Sequence, residues 1–142
     1  MTTAGKILVV DDDRDLVAAI KLVLEQRGFA VVGAFDAKSG LALAEAERPD
    51  LILLDVMMPS ATEGFHFVWE LRRRPDPYFV EVPVIIVSAI HGQTELRFYP
   101  DASDGTYKSG EFLPVQGFID KPLDPEELIA RVTRELELAR RR

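Results

Sequence analysis

The sequence contains no cysteine, so neither a disulfide framework nor a thiolate metal site is possible. It has two histidines, His66 and His91, whose spacing offers no metal-ligand pair. No apolar run approaches the length needed to cross a bilayer, and no signal-peptide pattern precedes the first apolar run. We therefore expect a cytoplasmic protein without membrane insertion. The formal net charge of −7 argues against nucleic acid as a direct ligand, because phosphate binding needs a basic face.

Short apolar runs alternate with amphipathic patterns along the 142 residues, a length that suits a single domain, here residues 5–140. The predicted strands are residues 6–10, 30–35, 51–54, 82–87 and 117–120. Continuous apolar runs of this kind are typical of parallel strands that are covered on both faces. Strands separated by helices imply an α/β fold in which helices cover both faces of a parallel sheet.

Helical patterns lie between most of these strands. The apolar residues of the third predicted helix are Phe65, Val68, Trp69 and Leu71. Pro75 and Pro77 are predicted to end this helix. Asp13 and Asp15 are interpreted as capping residues of the first helix, and Asp124 as the cap of the last.

Polar side chains follow four of the predicted strands. Asp11 and Asp12 follow the first strand, Asp55 the third, Ser88 the fourth and Lys121 the fifth. Ligands of open α/β sheets bind beyond the carboxyl ends of the strands, so these residues should converge at one edge. Crowded carboxylates repel each other unless a cation joins them, and Mg²⁺ prefers oxygen ligands. A lysine and a hydroxyl would complete a cradle for a small dianion.

The sequence resembles the receiver domain of two-component response regulators. The matching stretches, in the family's order, are Ile-Leu-Val-Val-Asp-Asp-Asp at residues 7–13, Asp-Val-Met-Met-Pro at 55–59, Val-Ile-Ile-Val-Ser-Ala at 84–89 and Phe-Ile-Asp-Lys-Pro at 118–122. The resemblance implies a flavodoxin-like, doubly wound sheet of five parallel strands in the order 2-1-3-4-5. Residues 90–116 depart from the family pattern, and we predict an irregular extended region there in place of a regular fourth helix.

The resemblance also assigns the chemistry of the site. Asp55 corresponds to the phosphoacceptor, whose carboxylate attacks phosphorus. Asp11 and Asp12 correspond to the metal-holding pair, and Asp55 with the backbone carbonyl of Met57 completes the protein ligands of Mg²⁺.

Three further residues correspond to the part of the family's site that responds to the phosphoryl group. Ser88 corresponds to the switch hydroxyl, Lys121 to the lysine that pairs with the phosphoryl group, and Phe118 to the movable aromatic. The atypical residues 90–116 lie where receivers commonly contact partners.

The function implied is that of a phosphorelay regulator. A sensor histidine kinase or a histidine phosphotransfer protein would phosphorylate Asp55 and so switch binding of a downstream partner, with a homodimer as a further option. The protein would catalyse only its own phosphorylation and dephosphorylation. We expect the dephosphorylation to be slow, because Met57 and Ile90 are apolar and cannot orient the attacking water molecule. We expect no output domain after the last helix, and therefore a single-domain regulator or a fragment.

Two alternatives remain open at this stage. One is a degenerate receiver that acts only as a protein-interaction module. The other is a Mg²⁺-dependent phosphohydrolase with an aspartate nucleophile, although position 57 is methionine where such enzymes need a second aspartate.

Overall fold

The computed structural model describes residues 4–55, 61–88, 117–120 and 123–140. The described strands are β1 Gly5–Val10, β2 Phe29–Ala34, β3 Leu51–Asp55, β4 Val84–Ser88 and β5 Gly117–Asp120. The described helices are α1 Arg14–Glu25, α2 Ala37–Glu47, α3 Ala61–Arg72, α4 Pro77–Glu81 and α5 Pro125–Arg140. None of the described helices is long and apolar enough to cross a membrane.

The strands form one sheet in the order β2-β1-β3-β4-β5, and each pair of neighbours is parallel. β1 therefore lies between β2 and β3. Its last residue, Val10, pairs with Ala34 of β2 and with Leu54 of β3. The carboxyl ends of these three strands consequently meet at one edge of the sheet, as expected for an α/β sheet with a ligand site there.

Each face of the sheet carries its own hydrophobic core. Leu8 and Ile52 point into the core beneath α2, α3 and α4, whereas Ile7 and Leu53 point into the core beneath α1 and α5. Successive residues of a strand alternate between faces, so a strand covered on both sides must be apolar throughout. The predicted α/β class with a parallel sheet of the flavodoxin type is confirmed.

The connection between α3 and β4 contains a helix that the sequence did not predict. Pro77, expected to end the third helix, instead occupies the first turn of α4, where its missing N–H costs nothing. The Asp76 carboxylate caps this helix by accepting from the amide of Tyr78 at 2.9 Å. α4 buries Phe79, and the Tyr78 hydroxyl donates to the carbonyl of Pro49. Burial raises the pKa of Tyr78 well above its usual range.

Two further details differ from the sequence pattern. Phe67 of α3 is fully buried, although the helical pattern did not single it out, and Trp69 is 37% exposed. In α5 the apolar residues Leu128, Val132 and Leu136 are buried. Glu135 is also buried, with a carboxylate oxygen 3.9 Å from a guanidinium nitrogen of Arg131. The predicted irregular region, residues 90–116, lies outside the described residues.

Close packing between α2 and β1 depends on a glycine. A Cβ atom at Gly40 would lie 2.9 Å from Cε2 of Phe67 and 2.9 Å from Cγ2 of Val10. Both neighbours are fully buried and cannot move aside without disturbing the core. Gly40 thus sets how near α2 approaches the strand that leads to Asp11.

We expect Gly40→Ala to lower the free energy of unfolding by about 1–3 kcal/mol, because an added methyl group overpacks this contact. Helix propensity alone predicts the opposite sign, since alanine is favoured over glycine by about 1 kcal/mol in a helix interior. The exposed Ala42 in the same helix provides the reference, and Ala42→Gly measures the propensity effect without the steric one. Urea denaturation measures the free energy of unfolding of both variants. Stabilisation by Gly40→Ala would contradict the expected overpacking at this contact.

Candidate functional site

Three carboxylates meet at the carboxyl edge of the sheet. Oxygen atoms of Asp11, Asp12 and Asp55 all lie within 4.8 Å of one another. The strand register explains this proximity, because Val10 pairs with Leu54 and the next residues along the two chains are Asp11 and Asp55. Asp11 is 2% exposed and Asp55 is 7% exposed, whereas Asp12 is exposed. We call these three residues the acidic cluster.

The turn from β1 into α1 fixes the orientation of the first aspartate. The amide of Asp11 donates to the carbonyl of Ala34 at 3.0 Å, which extends the pairing of β1 with β2 by one residue. Oδ1 of Asp11 accepts from the amide of Asp13 at 2.9 Å. The Asp11 carboxylate is therefore held by the backbone of its own loop while it takes part in the acidic cluster.

Asp13 caps α1 and does not belong to the acidic cluster. Its Oδ1 accepts from the amides of Asp15 and Leu16, each at 3.1 Å, and so caps α1. The capping role predicted for Asp13 is confirmed. Asp15 does not cap the helix but lies in its first turn, where a negative charge is favourable near the positive end of the helix dipole.

The acidic cluster has the donor set of a hard-cation site. Like charges this close repel each other, and burial of two of them adds a desolvation penalty, so a bound cation would relieve both costs. Carboxylate oxygens suit Mg²⁺, which also retains water molecules when it binds to proteins. Two buried carboxylates and one exposed carboxylate fit a metal that is held by protein on one side and reached by water or substrate on the other.

The other predicted site residues are placed only in part. Val87 pairs with Asp55, so the backbone of Ser88 comes one residue beyond the partner of Asp55, at the same edge of the sheet. Phe118 belongs to β5 and pairs with Ile86, two residues before that edge. The residues Met57 and Lys121 lie outside the described part of the chain, so their predicted roles stay predictions.

One contact at this edge was not predicted from the sequence. The guanidinium carbon of Arg14, the first residue of α1, lies 4.1 Å from the centroid of the Phe35 ring, which directly follows β2. This is a cation–π distance. The signal that could have found it is positional, since both residues follow strands that end at the same edge of the sheet.

Comparison with known proteins identifies the same family that the sequence resembles. The family model described as the response regulator receiver domain matches residues 7–133. The DNA-binding dual master transcriptional regulator RpaA of Synechocystis is 36% identical over 127 residues, which are 89% of this chain and 47% of that protein. The phosphate regulon transcriptional regulatory protein PhoB of Escherichia coli is 34% identical over 129 residues, 91% of this chain and 50% of that protein.

Solved structures agree. The chemotaxis response regulator CheY4 of Vibrio cholerae superimposes with a TM-score of 0.71 at 28% identity and covers 94% of this chain and 98% of its own. The receiver domain of the Francisella response regulator 1452 gives a TM-score of 0.69 at 30% identity, with 94% and 97% covered. This chain belongs to the response regulator receiver domain family.

Membership of the receiver domain family defines the class of protein. Receiver domains of this family act in phosphorelay signalling, phosphorylation on an aspartate is expected in them, and they typically bind Mg²⁺ at an acidic pocket. The chain spans about half the length of the curated relatives named above. The resemblance to receivers is thus confirmed.

The capping role of Asp13 is separable from the acidic cluster. We expect Asp13→Ala to lower the free energy of unfolding by about 1 kcal/mol, because two amides of the first turn of α1 lose their acceptor. Asp13→Asn keeps an acceptor oxygen and should retain most of the stability. Urea denaturation measures both, and equal destabilisation by the two substitutions would show that the charge, and not the cap, matters.

Proposed function

We propose that this domain accepts a phosphoryl group on Asp55 from a histidine kinase or a histidine phosphotransfer protein. The observation that supports the proposal most directly is the acidic cluster, in which Asp55 is grouped with Asp11 and Asp12 at the carboxyl edge of a receiver fold. Asp55 is the buried carboxylate of β3, at the position where the family motif places its acceptor.

The transfer is a substitution at phosphorus. One carboxylate oxygen of Asp55 forms a bond to phosphorus while the bond from phosphorus to the histidine nitrogen breaks. The imidazole leaves with the electron pair and the product is an acyl phosphate. The backbone of β3 holds Asp55 between β1 and β4, so the nucleophile is fixed before the donor arrives.

Asp11, Asp12, Asp55 and the backbone carbonyl of Met57 would hold Mg²⁺. When bound, the ion neutralises charge on the phosphoryl oxygens and on the carboxylates. Lys121 would pair with the phosphoryl group from the opposite side, and its charge also favours the ionised form of the acceptor. The protein is then its own catalyst, with slow loss of the phosphoryl group and no other substrate.

The phosphoryl group would act on the ends of β4 and β5. The phosphoryl group carries nearly two negative charges, but the Asp55 carboxylate loses its own charge when the acyl phosphate forms. The edge of the sheet therefore gains about one net negative charge and several strong acceptors. Ser88 would supply a hydroxyl to this group, Phe118 would change its packing, and residues 90–116 would present the altered surface to a downstream partner. One domain over residues 5–140 and a cytoplasmic location complete the proposal, with a homodimer as a further option.

Mg²⁺ should stabilise the folded protein through the acidic cluster. At a Mg²⁺ concentration about ten times its Kd, we expect the free energy of unfolding to rise by about 1.4 kcal/mol, because the unfolded chain lacks the site. Asp12→Ala should remove most of this increase. The Asp12 side chain is exposed, so its loss should leave the metal-free stability unchanged or slightly higher as repulsion is relieved.

Asp13→Ala is the matched control, since it removes a neighbouring carboxylate that caps α1 instead of joining the cluster. This variant should start from a lower stability and still gain the full increment on addition of Mg²⁺. Thermal or urea unfolding with and without Mg²⁺ reports both quantities. If Mg²⁺ raised the free energy of unfolding of Asp12→Ala as much as that of the wild type, the proposed metal site would be contradicted.

Phosphorylation itself is tested by incubation with Mg²⁺ and acetyl phosphate, followed by intact mass measurement. We expect one added phosphoryl group in the wild-type protein and none in Asp55→Asn. Asp76→Asn is the control, because it makes the same change at the half-exposed residue that caps α4. Release of phosphate without an adduct would indicate a hydrolase, and the absence of both would indicate a receiver that serves only as a binding module.

A further inference from the structure

An aromatic ring holds a cation at the same edge of the sheet as the acidic cluster. Arg14 comes two positions after Asp12, and its guanidinium lies over Phe35 at 4.1 Å. Phe35 follows Ala34, the residue whose carbonyl accepts the amide of Asp11 at 3.0 Å. The Arg14–Phe35 pair therefore belongs to the same edge of the sheet, on the side of β1 away from β3.

Among the described residues, no carboxylate forms a direct ion pair with Arg14. Asp12, Asp13 and Asp15 are all within two positions of it in the sequence and attract it at short range. Nevertheless, in the part of the chain that the structure describes, Arg14 forms no ion pair within 4.0 Å, and its recorded partner is the ring of Phe35. A cation–π contact holds the guanidinium by its face, so its N–H donors remain available to an anion.

The ring is itself fixed. Phe35 is half-buried and packs against the hydrophobic core beneath α1 and α5. A long arginine side chain normally loses considerable rotamer freedom when it binds a ligand. Restriction by the ring reduces that loss, and the planar fork of the guanidinium matches two oxygens of a phosphoryl group.

An anionic phosphoryl donor approaches this edge against unfavourable charge. The whole chain carries a net charge of −7, and three carboxylates are clustered at the point of transfer. Such a field lowers the local concentration of an anion and its rate of encounter, and a cation at the rim offsets it. Arg14 is exposed and supplies such a cation.

We propose that Arg14, held on Phe35, is a docking residue that attracts and orients the phosphoryl group of the donor before transfer to Asp55. The inference rests on the proposed function, and it adds a residue that binds the donor without taking part in bond making. With acetyl phosphate, an oxygen of Asp55 bonds to phosphorus as the bond from phosphorus to the acetyl oxygen breaks. Acetate leaves with that electron pair.

The test is the apparent second-order rate constant for formation of the Asp55 adduct at saturating Mg²⁺. Arg14→Ala should lower this constant by about threefold to tenfold with acetyl phosphate. The loss should be smaller with phosphoramidate, which carries less negative charge, and Arg14→Lys should keep most of the wild-type rate. Added salt should narrow the ratio between the wild-type rate and the Arg14→Ala rate, because screening weakens the attraction that Arg14 supplies.

Lys21→Ala is the matched control, since it removes a cation from the same helix that is paired with Glu25 and not held on Phe35. Its rate should equal that of the wild type. Equal losses in Arg14→Ala with both donors, or no loss with either, would overturn the docking role while leaving phosphorylation of Asp55 established. A wild-type protein that takes no phosphoryl group from either donor would overturn the proposed function and the docking role together.

Discussion

Parallel pairing of β1 with β3 in a single register is the constraint on which the site depends. Asp11 and Asp55 are adjacent because Val10 and Leu54 are partners, and a slip of one residue would send one carboxylate to the other face of the sheet. The two strands are buried on both faces, so their apolar side chains oppose such a slip. The hydrophobic cores thus supply the stabilisation that keeps two buried like charges together.

Those features that arise from periodic burial could be predicted from the sequence. Continuous apolar strands, amphipathic helices and their alternation are sufficient for a parallel sheet covered on both faces, and the rule for strand ends then brings Asp11, Asp12 and Asp55 together. Asp13 could be assigned to the helix cap for a similar reason, since a capping side chain acts on amides two and three residues away. Interactions between residues that are close in the sequence depend on local residue types and can therefore be predicted from the sequence.

Contacts between distant segments could not be read in this way. α4 has five residues, too few for a helical period to show, and its Phe79 is buried only because α2 and α3 leave room for it. Phe67 and Trp69 are both apolar residues of one helix, and only the packing of α3 against α2 decides that Phe67 is the buried one. The Arg14–Phe35 contact likewise joins the start of α1 to the end of β2, and their proximity depends on the order of the strands in the sheet.

The three consecutive aspartates after β1 show how one acidic run can serve several purposes. Asp11 continues the direction of the strand and is buried in the cluster, Asp12 is exposed at its rim, and Asp13 turns to cap α1. Their roles are coupled, because the amide of Asp13 donates to the Asp11 carboxylate at 2.9 Å. A change of charge at the cluster therefore alters the strength of a hydrogen bond that anchors the first turn of α1. That turn also carries Arg14. The start of α1 therefore connects the acidic cluster directly to the surface that a phosphoryl donor would meet.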